Sequence, residues 1–263
     1  MKSAGFWGES HPSPFADDTD TTLSDRKAMT PSLQTALQTA AAQGLTSRDD
    51  VLSILRRHLG NGHADIRIRF EKRLISGIDA ARALAAQADS VVCALADLSA
   101  AQDNASSEEP LCLCATGGYG AGLLAPFSDI DILFLIPEDA SPALTTRIEF
   151  ILYALWDLGL RVGHATRSIS ACIKDVAEDL TIRTALLDLR PLYGDRTLAR
   201  NLRSALGADL QNDTLCDFVR GKIAERELRH RRFGDTPYMV APHIKEGRGG
   251  LPDLPTPNWM GRP

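Results

Sequence analysis

The sequence predicts an α+β fold in which a small sheet is flanked by helices on both sides along the chain. Apolar residues recur at helical spacing from about Ala64 to Ala101. Between Leu111 and Ile169 the order is apolar run, loop, apolar run, helical stretch and a third apolar run. From Ser170 onward the pattern is helical again. Few strands between two helical regions are typical of a mixed α+β domain rather than a repeating α/β one.

The region before the predicted sheet, residues 30–108, is expected to be helical. It follows residues 1–29, which mix Gly, Pro, Ser and Asp with little periodicity and predict a disordered tail. Thr30 and Pro31 predict an N-cap and a first helical residue. Ser47 predicts the cap of a second helix. The long periodic stretch after it predicts one long helix or two joined ones.

The predicted sheet lies at the start of a domain spanning residues 109–251. Its first two strands are the buried apolar runs Leu111–Ala115 and Ile130–Ile136. A helix then ends at Gly159, and Leu160–Ile169 predicts the third strand. Everything after it is expected to be helical, with breaks at Pro191 and Gly194 and a long charged helix at about Thr214 to Arg232. The last segment, residues 252–263, holds four of the 14 prolines and predicts an irregular end.

Composition excludes several classes of protein. The net charge is -5, the pI is about 5.7 and aromatic residues make up 6%, which argues against a general nucleic-acid binder. No apolar run approaches the roughly 18 residues that cross a bilayer, so no membrane span is expected. The five cysteines are scattered without a Cys-x-x-Cys pair, and no secretory signal is evident. These features predict a protein of the reducing cytoplasm.

The chemistry is concentrated between the first two predicted strands. Asp129 and Asp131 stand two residues apart where a strand begins, so both carboxylates should point to one face. Two anions there repel unless a cation lies between them, and Mg²⁺ prefers carboxylate oxygens and phosphates. Gly117 and Gly118 follow the preceding strand and let backbone N–H groups approach an anion. Phosphate cradle and acid pair together favour nucleotidyl transfer.

Each part of this pattern is weak alone, because most Asp-x-Asp pairs are solvated and most Gly-Gly pairs are turns. The combination of strand, Gly-Gly, about ten residues, Ser-Asp-Ile-Asp and strand is far more specific. Gly120–Ala125 also matches the dinucleotide fingerprint G-x-G-x-x-A. That fingerprint must open a helix, and Pro126 and the next strand leave no room for one, so a dinucleotide-binding fold is rejected.

The motifs Gly117-Gly-Tyr-Gly and Leu124-Ala-Pro-Phe-Ser-Asp-Ile-Asp-Ile-Leu-Phe-Leu135 resemble the polymerase-β-like nucleotidyltransferases. Within them the chain is most similar to the bifunctional uridylyltransferase/uridylyl-removing enzymes that modify the PII nitrogen-signalling protein. Further matches are Trp156–Arg167, Asp179–Ala185, Arg229–Arg232 and Ile244–Leu251. The resemblance implies the small mixed sheet of that superfamily.

The resemblance also implies a reaction and a set of site residues. The reaction is metal-dependent transfer of UMP from UTP to a tyrosine of PII, with release of pyrophosphate. Asp129 and Asp131 would be catalytic and hold Mg²⁺. Contacts to the nucleotide would come from Gly117, Gly118, Ser128, Arg167 and Lys245, the last two being the weaker candidates. His164 is expected to be structural rather than catalytic.

Departures from the family leave alternatives open. The glycine loop has Ala121 and Leu123 where the family usually has Arg and often Glu, and the third predicted strand offers no carboxylate. The sequence stops where the family goes on to a phosphohydrolase domain and small-molecule-sensing domains, and no His-Asp dipeptide occurs, so the uridylyl-removing activity and glutamine sensing are expected to be absent. One alternative is a nucleotidyltransferase with another nucleotide or acceptor. The other is a non-catalytic or decayed nucleotide-binding fragment.

Overall fold

The computed structural model describes residues 31–44, 47–102, 109–210, 214–233, 247–250 and 253. The described residues form two compact units, one ending at Ile54 and one beginning at Leu55. In the first unit Leu33, Ala40 and Leu52 are buried. The sheet and all the predicted site residues that are described lie in the second. The predicted tail, Lys245 and nearly all of 252–263 fall outside the described residues, and the predicted domain boundaries stay predictions.

Three helices precede the sheet: α1 (Pro31–Ala42), α2 (Arg48–Glu71) and α3 (Gly77–Gln102). The start of α2 is the one predicted, since the Ser47 hydroxyl accepts the backbone N–H of Asp50 at 3.2 Å. The Asp50 carboxylate accepts the N–H of Ser47 in return at 3.3 Å. Ser76 and Asp79 repeat this pair of bonds at the start of α3.

The long periodic stretch is therefore two helices rather than one. The interruption lies at residues 72–76, where Arg73 takes a positive φ of 56° and Leu74 N–H bonds to Arg69 O at 2.8 Å. A left-handed residue after the last turn is a common way for a helix to end. The first of the two helices also begins earlier than Ala64, at Arg48, so the predicted second helix and the first half of the periodic stretch are one element.

The sheet is mixed and has four strands in the order β3-β2-β1-β4. The strands are β1 (Cys112–Ala115), β2 (Ile130–Leu135), β3 (Val162–Arg167) and β4 (Arg190–Gly194). β1 pairs antiparallel with β2 and with β4, and β2 pairs parallel with β3. The predicted α+β class with a small mixed sheet is confirmed.

The fourth strand was not predicted, because its sequence lacks the usual signals of a strand. β4 has Pro191 inside it, and proline cannot donate a bond to a neighbouring strand. The structure accommodates it at a bulge on an edge strand: Leu113 pairs with Tyr193 and Cys114 with Pro191, so Leu192 is the extra residue. The expectation that everything after Ser170 is helical is wrong at this strand.

The remaining helices cover the two faces of the sheet. They are α4 (Gly117–Gly120), α5 (Pro142–Asp157), α6 (Ile169–Glu178), α7 (Leu180–Leu187), α8 (Arg196–Leu210) and α9 (Thr214–Arg232). On one face Cys112, Cys114, Leu133 and Leu135 form a core with residues of α6, α7 and α8, namely Cys172, Val176, Leu186 and Leu202. α5 packs on α3 and β3. Ordinary helix-on-sheet packing thus fixes the strand ends.

Helix α3 is long and apolar enough over Gly77–Ala101 to cross a bilayer by length and composition alone, although polar residues interrupt its apolar runs. In the folded chain 61% of that window is buried, and α3 packs against α5 and β4. This burial is typical of the core helix of a soluble protein. The cytoplasmic location stays a prediction.

Candidate functional site

The glycine pair forms a single tight turn directly after the first strand. Gly117 opens α4 with a φ of +57°, a backbone conformation that side chains strongly disfavour. Thr116 N–H bonds to Asp131 O at 3.0 Å, which brings the start of this turn to the start of β2. Among the described residues, nothing accepts the N–H groups of Gly117 and Gly118. They are donors of the kind that bind an anion.

The Asp131 carboxylate lies between two glycines that leave room for it. A methyl group added at Gly163, its partner in β3, would stand 2.3 Å from Asp131 Oδ1. One added at Gly117 would stand 3.3 Å from Oδ2. A side chain at Gly163 would therefore displace this carboxylate, and one at Gly117 would crowd it. The structure thus brings three predicted site residues together: Gly117, Gly118 and Asp131.

The electrostatics of the acid pair favour a cation. Partial burial, and then the negative charge of Asp129, raise the pKa of the Asp131 carboxyl above its usual value. Two carboxylates that repel each other beside free backbone donors suit a divalent cation that also takes phosphate oxygens. The residues present therefore fit such an ion. Among the described residues, no group of three or more His, Cys, Asp or Glu lies together as a set of metal ligands.

Arg161 is a cation beside the acid pair that the sequence pattern does not single out. Its Nε lies 3.1 Å from Asp129 Oδ1, and its Nη2 donates to the carbonyl of Phe127. Both side chains are well exposed, so this ion pair contributes little to stability. Its position follows from the parallel pairing of β2 and β3, because Ile130 N–H bonds to Arg161 O at 2.9 Å. The feature of the sequence that could have identified Arg161 is its position as a cation directly before the third strand.

The loop between the turn and the acid pair is strained and open. Phe127 has a φ of +64° and its side chain is 89% exposed, although aromatic residues rarely adopt that backbone region. Ser128 follows it and is exposed, with its N–H bonded to Ala125 O at 3.1 Å. Its hydroxyl is thus open to solvent next to Asp129. Strain of this kind concentrates at functional sites.

Two other predicted residues lie away from this cluster. Arg167 pairs with Leu135 at the far end of β3, about 13 Å along the strand from Gly163. Its Nε is held by Asp175 at 2.9 Å, which makes it part of an ion pair between β3 and α6. The His164 ring packs edge-on against Trp156 at 5.7 Å, a packing contact of the kind expected for a structural histidine. The proposed phosphate contact of Arg167 stays a prediction.

Two family models match the chain. One, described as a nucleotidyltransferase domain, matches residues 103–188 and so contains every residue of the cluster above. The other, described as GlnD PII-uridylyltransferase, matches residues 217–262. Their order along the chain is the order in which the sequence motifs occur.

Curated relatives match at high identity. The chain is 74% identical over its whole length to a bifunctional uridylyltransferase/uridylyl-removing enzyme of Gluconobacter oxydans. It is 45% identical over 82% of its length to the enzyme of the same name from Azospirillum brasilense, and 40% identical over 90% to that from Rhodospirillum rubrum. The aligned parts are 28%, 23% and 26% of those proteins, so the chain spans about a quarter of the length of its relatives.

Proposed function

The chain belongs to the family of the bifunctional uridylyltransferase/uridylyl-removing enzymes, and on this basis we propose that it transfers UMP from UTP to a tyrosine of the PII nitrogen-regulatory protein. The observation that carries the proposal is the meeting of the glycine turn and the acid pair. Gly117 opens the turn, and a methyl group added to it would stand 3.3 Å from Asp131 Oδ2. A triphosphate bound by the turn would thus lie beside the carboxylates that bind its metal.

The reaction needs one bond made and one broken. The tyrosine hydroxyl oxygen bonds to the α-phosphorus of UTP, and the bond from that phosphorus to the bridging oxygen of the β-phosphate breaks. Pyrophosphate leaves and the hydroxyl proton is released to solvent. Gly117 and Gly118 donate N–H groups to phosphate oxygens, and the exposed Ser128 hydroxyl is placed to add a third donor.

Asp129 and Asp131 are the residues that would hold Mg²⁺. A bound magnesium ion supplies charge stabilisation at phosphate oxygens and orients the triphosphate. Asp129 is engaged by Arg161 in the structure, and holding the metal would replace that exposed ion pair. The bond from Arg161 to the Phe127 carbonyl would remain to hold the loop that carries Ser128.

The test is transfer of label from UTP to PII in the presence of Mg²⁺. Asp129→Asn and Asp131→Asn should each lower transfer by at least about a hundredfold, the scale of losing a preorganised charge at the reacting phosphate. Asp65→Asn is the matched control, since Asp65 is an exposed acid on α2 whose partner among the described residues is the exposed Arg69. Equal transfer by all three variants would refute the site.

The same experiment separates the two alternatives. Replacing UTP with ATP, with and without PII, identifies another nucleotide or acceptor if label from ATP is transferred faster. Binding of UTP with Mg²⁺ but no transfer to PII identifies a non-catalytic nucleotide-binding protein. In that case Asp131→Asn should still weaken the Mg²⁺ dependence of UTP binding.

A further inference from the structure

The buried guanidinium of Arg190 donates hydrogen bonds to the backbone of the glycine turn. Arg190, the first residue of β4, donates from Nη2 to Tyr119 O at 3.0 Å and from Nε to Gly120 O at 3.1 Å. The same group makes a two-pronged ion pair with Asp89 of α3, with Nη1 2.7 Å from Oδ2 and Nη2 3.1 Å from Oδ1. One side chain thus links α3, β4 and the last two residues of the turn.

The link is buried and stays charged. The Arg190 and Asp89 side chains are 18% and 12% exposed. Burial acts to lower the pKa of Arg190, but hydrogen bonding and charge from Asp89 outweigh it and the pKa is raised. The guanidinium carbon also lies 5.4 Å from the centre of the Tyr119 ring, which is buried. Breaking one partner of such a pair costs more than an exposed pair would.

The turn cannot hold its own shape. It has four residues, so it is a single helical turn, and a single turn is unfavourable without outside contacts. Contacts at its second half supply the order: the two carbonyls bonded by Arg190, and the close approach of Gly120 to Asp188, where a methyl group would stand 2.0 Å from the Asp188 carbonyl oxygen. Its first half carries the N–H groups of Gly117 and Gly118, which no described residue accepts.

We propose that the Asp89–Arg190 pair is the positioning device of the phosphate-binding turn: it fixes the second half of the turn so that the first half presents its N–H groups to the nucleotide. This proposal rests on the proposed function for its ligand. Neither residue touches the nucleotide. The pair acts through the backbone of Tyr119 and Gly120, which are only two or three residues from the donors.

The shape of arginine is what the proposal requires. The guanidinium serves two carboxylate oxygens and two carbonyls at once because its donors lie in one rigid fork. Lysine keeps the positive charge but has a single compact head group. Arg190→Lys should therefore keep the charge pair with Asp89 while releasing at least one carbonyl of the turn.

The experiment measures the turn and the nucleotide separately. Amide hydrogen exchange reports the order of residues 116–123, and calorimetric titration with UTP and Mg²⁺ reports binding. Arg190→Lys should speed exchange in this peptide at least about tenfold and weaken UTP binding about 10- to 100-fold, since small misplacements of a binding group cost that much. Asp89→Asn, which keeps the shape of the partner, should change both in the same direction and serves if the lysine variant does not fold.

The matched control is Arg203→Lys. Arg203 of α8 also bonds a backbone carbonyl next to β4, that of Leu189 at 2.6 Å, but no carbonyl of the turn. It should leave exchange of residues 116–123 and UTP binding unchanged. Unchanged exchange in Arg190→Lys overturns the positioning role, and faster exchange with unchanged UTP binding overturns its link to the nucleotide. Absence of UTP binding by the unaltered protein would refute the proposed function, while hydrogen exchange would still decide whether the pair orders the turn.

Discussion

Asp131 is a residue whose charge costs stability at the candidate site. Its carboxylate is partly desolvated, has the negative Asp129 nearby and sits in a space left by Gly117 and Gly163, although the residue as a whole is exposed. Burial and like charge both disfavour the ionised form. A residue chosen for stability at this place would be neutral.

Replacing Asp131 with asparagine should stabilise the metal-free protein at neutral pH while abolishing transfer. The folded-state pKa of Asp131 is raised, so the cost of its charge is absent at pH values below the unfolded pKa of about 4 and appears as the pH rises through the folded pKa. We expect the melting temperature of Asp131→Asn to exceed that of the unaltered protein by roughly 1–2 °C at pH 7. The difference should vanish near pH 3.

The control for this prediction is again Asp65→Asn. Asp65 is exposed and pairs with Arg69 one helical turn away, so its replacement should change the melting temperature little, or lower it slightly. A pH-independent gain in Asp131→Asn would show that the gain comes from packing rather than from the charge. A loss at pH 7 would contradict the electrostatic account of the site.

Among the helices before the sheet, two glycines of α2 differ in whether a larger side chain could take their place. Gly60 and Gly62 lie two residues apart in α2. Nothing approaches the position of a Cβ at Gly60, whereas at Gly62 it would stand 1.9 Å from the side-chain nitrogen of Gln87. That buried amide crosses from α3 and donates to His58 O at 2.9 Å and Leu59 O at 3.0 Å.

Alanine at these two positions should have opposite effects on the free energy of unfolding. Gly60→Ala should raise it by about 0.5–1 kcal/mol, the usual gain for removing a glycine from an exposed helix interior. Gly62→Ala should lower it by about 1–3 kcal/mol, because Gln87 must move and its amide loses buried partners. Urea denaturation of the two variants measures both. Effects of the same sign would contradict the packing of α2 against α3 through Gln87.

At the scale of the whole molecule, the thiols report the integrity of the core. Cys112 and Cys114 on β1 and Cys172 on α6 are fully buried in the core below the sheet. Burial raises the pKa of Cys172 to about 11, and the contact with Cys112 followed by burial raises that of Cys114. The contact with Cys114 lowers the pKa of Cys112, so for this thiol burial alone keeps a reagent away. All three groups should therefore be inert while the sheet is intact.

Alkylation should therefore label these three cysteines only through global unfolding. In pulsed labelling followed by mass spectrometry, Cys93, which is partly exposed, should react before these three. Cys112, Cys114 and Cys172 should react together, with the urea dependence of global unfolding. Labelling of Cys172 ahead of β1 would show that α6 opens independently of the sheet.

Much of this molecule could be predicted from local sequence. The strands β1 and β2 are apolar runs, and Ser47 is a helix cap. The glycine pair follows the first run and the acid pair stands where the second begins, and this order predicts that both pairs lie at adjacent strand ends. Local patterns suffice here because backbone geometry alone decides which face a residue takes and where a helix begins. The family resemblance has the same origin, since it rests on these short motifs.

The tertiary structure decided everything that depends on distant partners. Arg190 and Asp89 are 101 residues apart, and no local pattern marks either as part of the turn. β4 becomes a strand only because β1 offers it an edge and a bulge takes up Pro191. Gly163 and Arg161 reach the acid pair only through the parallel register of β2 and β3. The sequence by itself determined which chemical groups the candidate site contains. Long-range packing determined how those groups are held, because the contacts join segments far apart in the chain, and the local pattern of each segment does not encode the pairing.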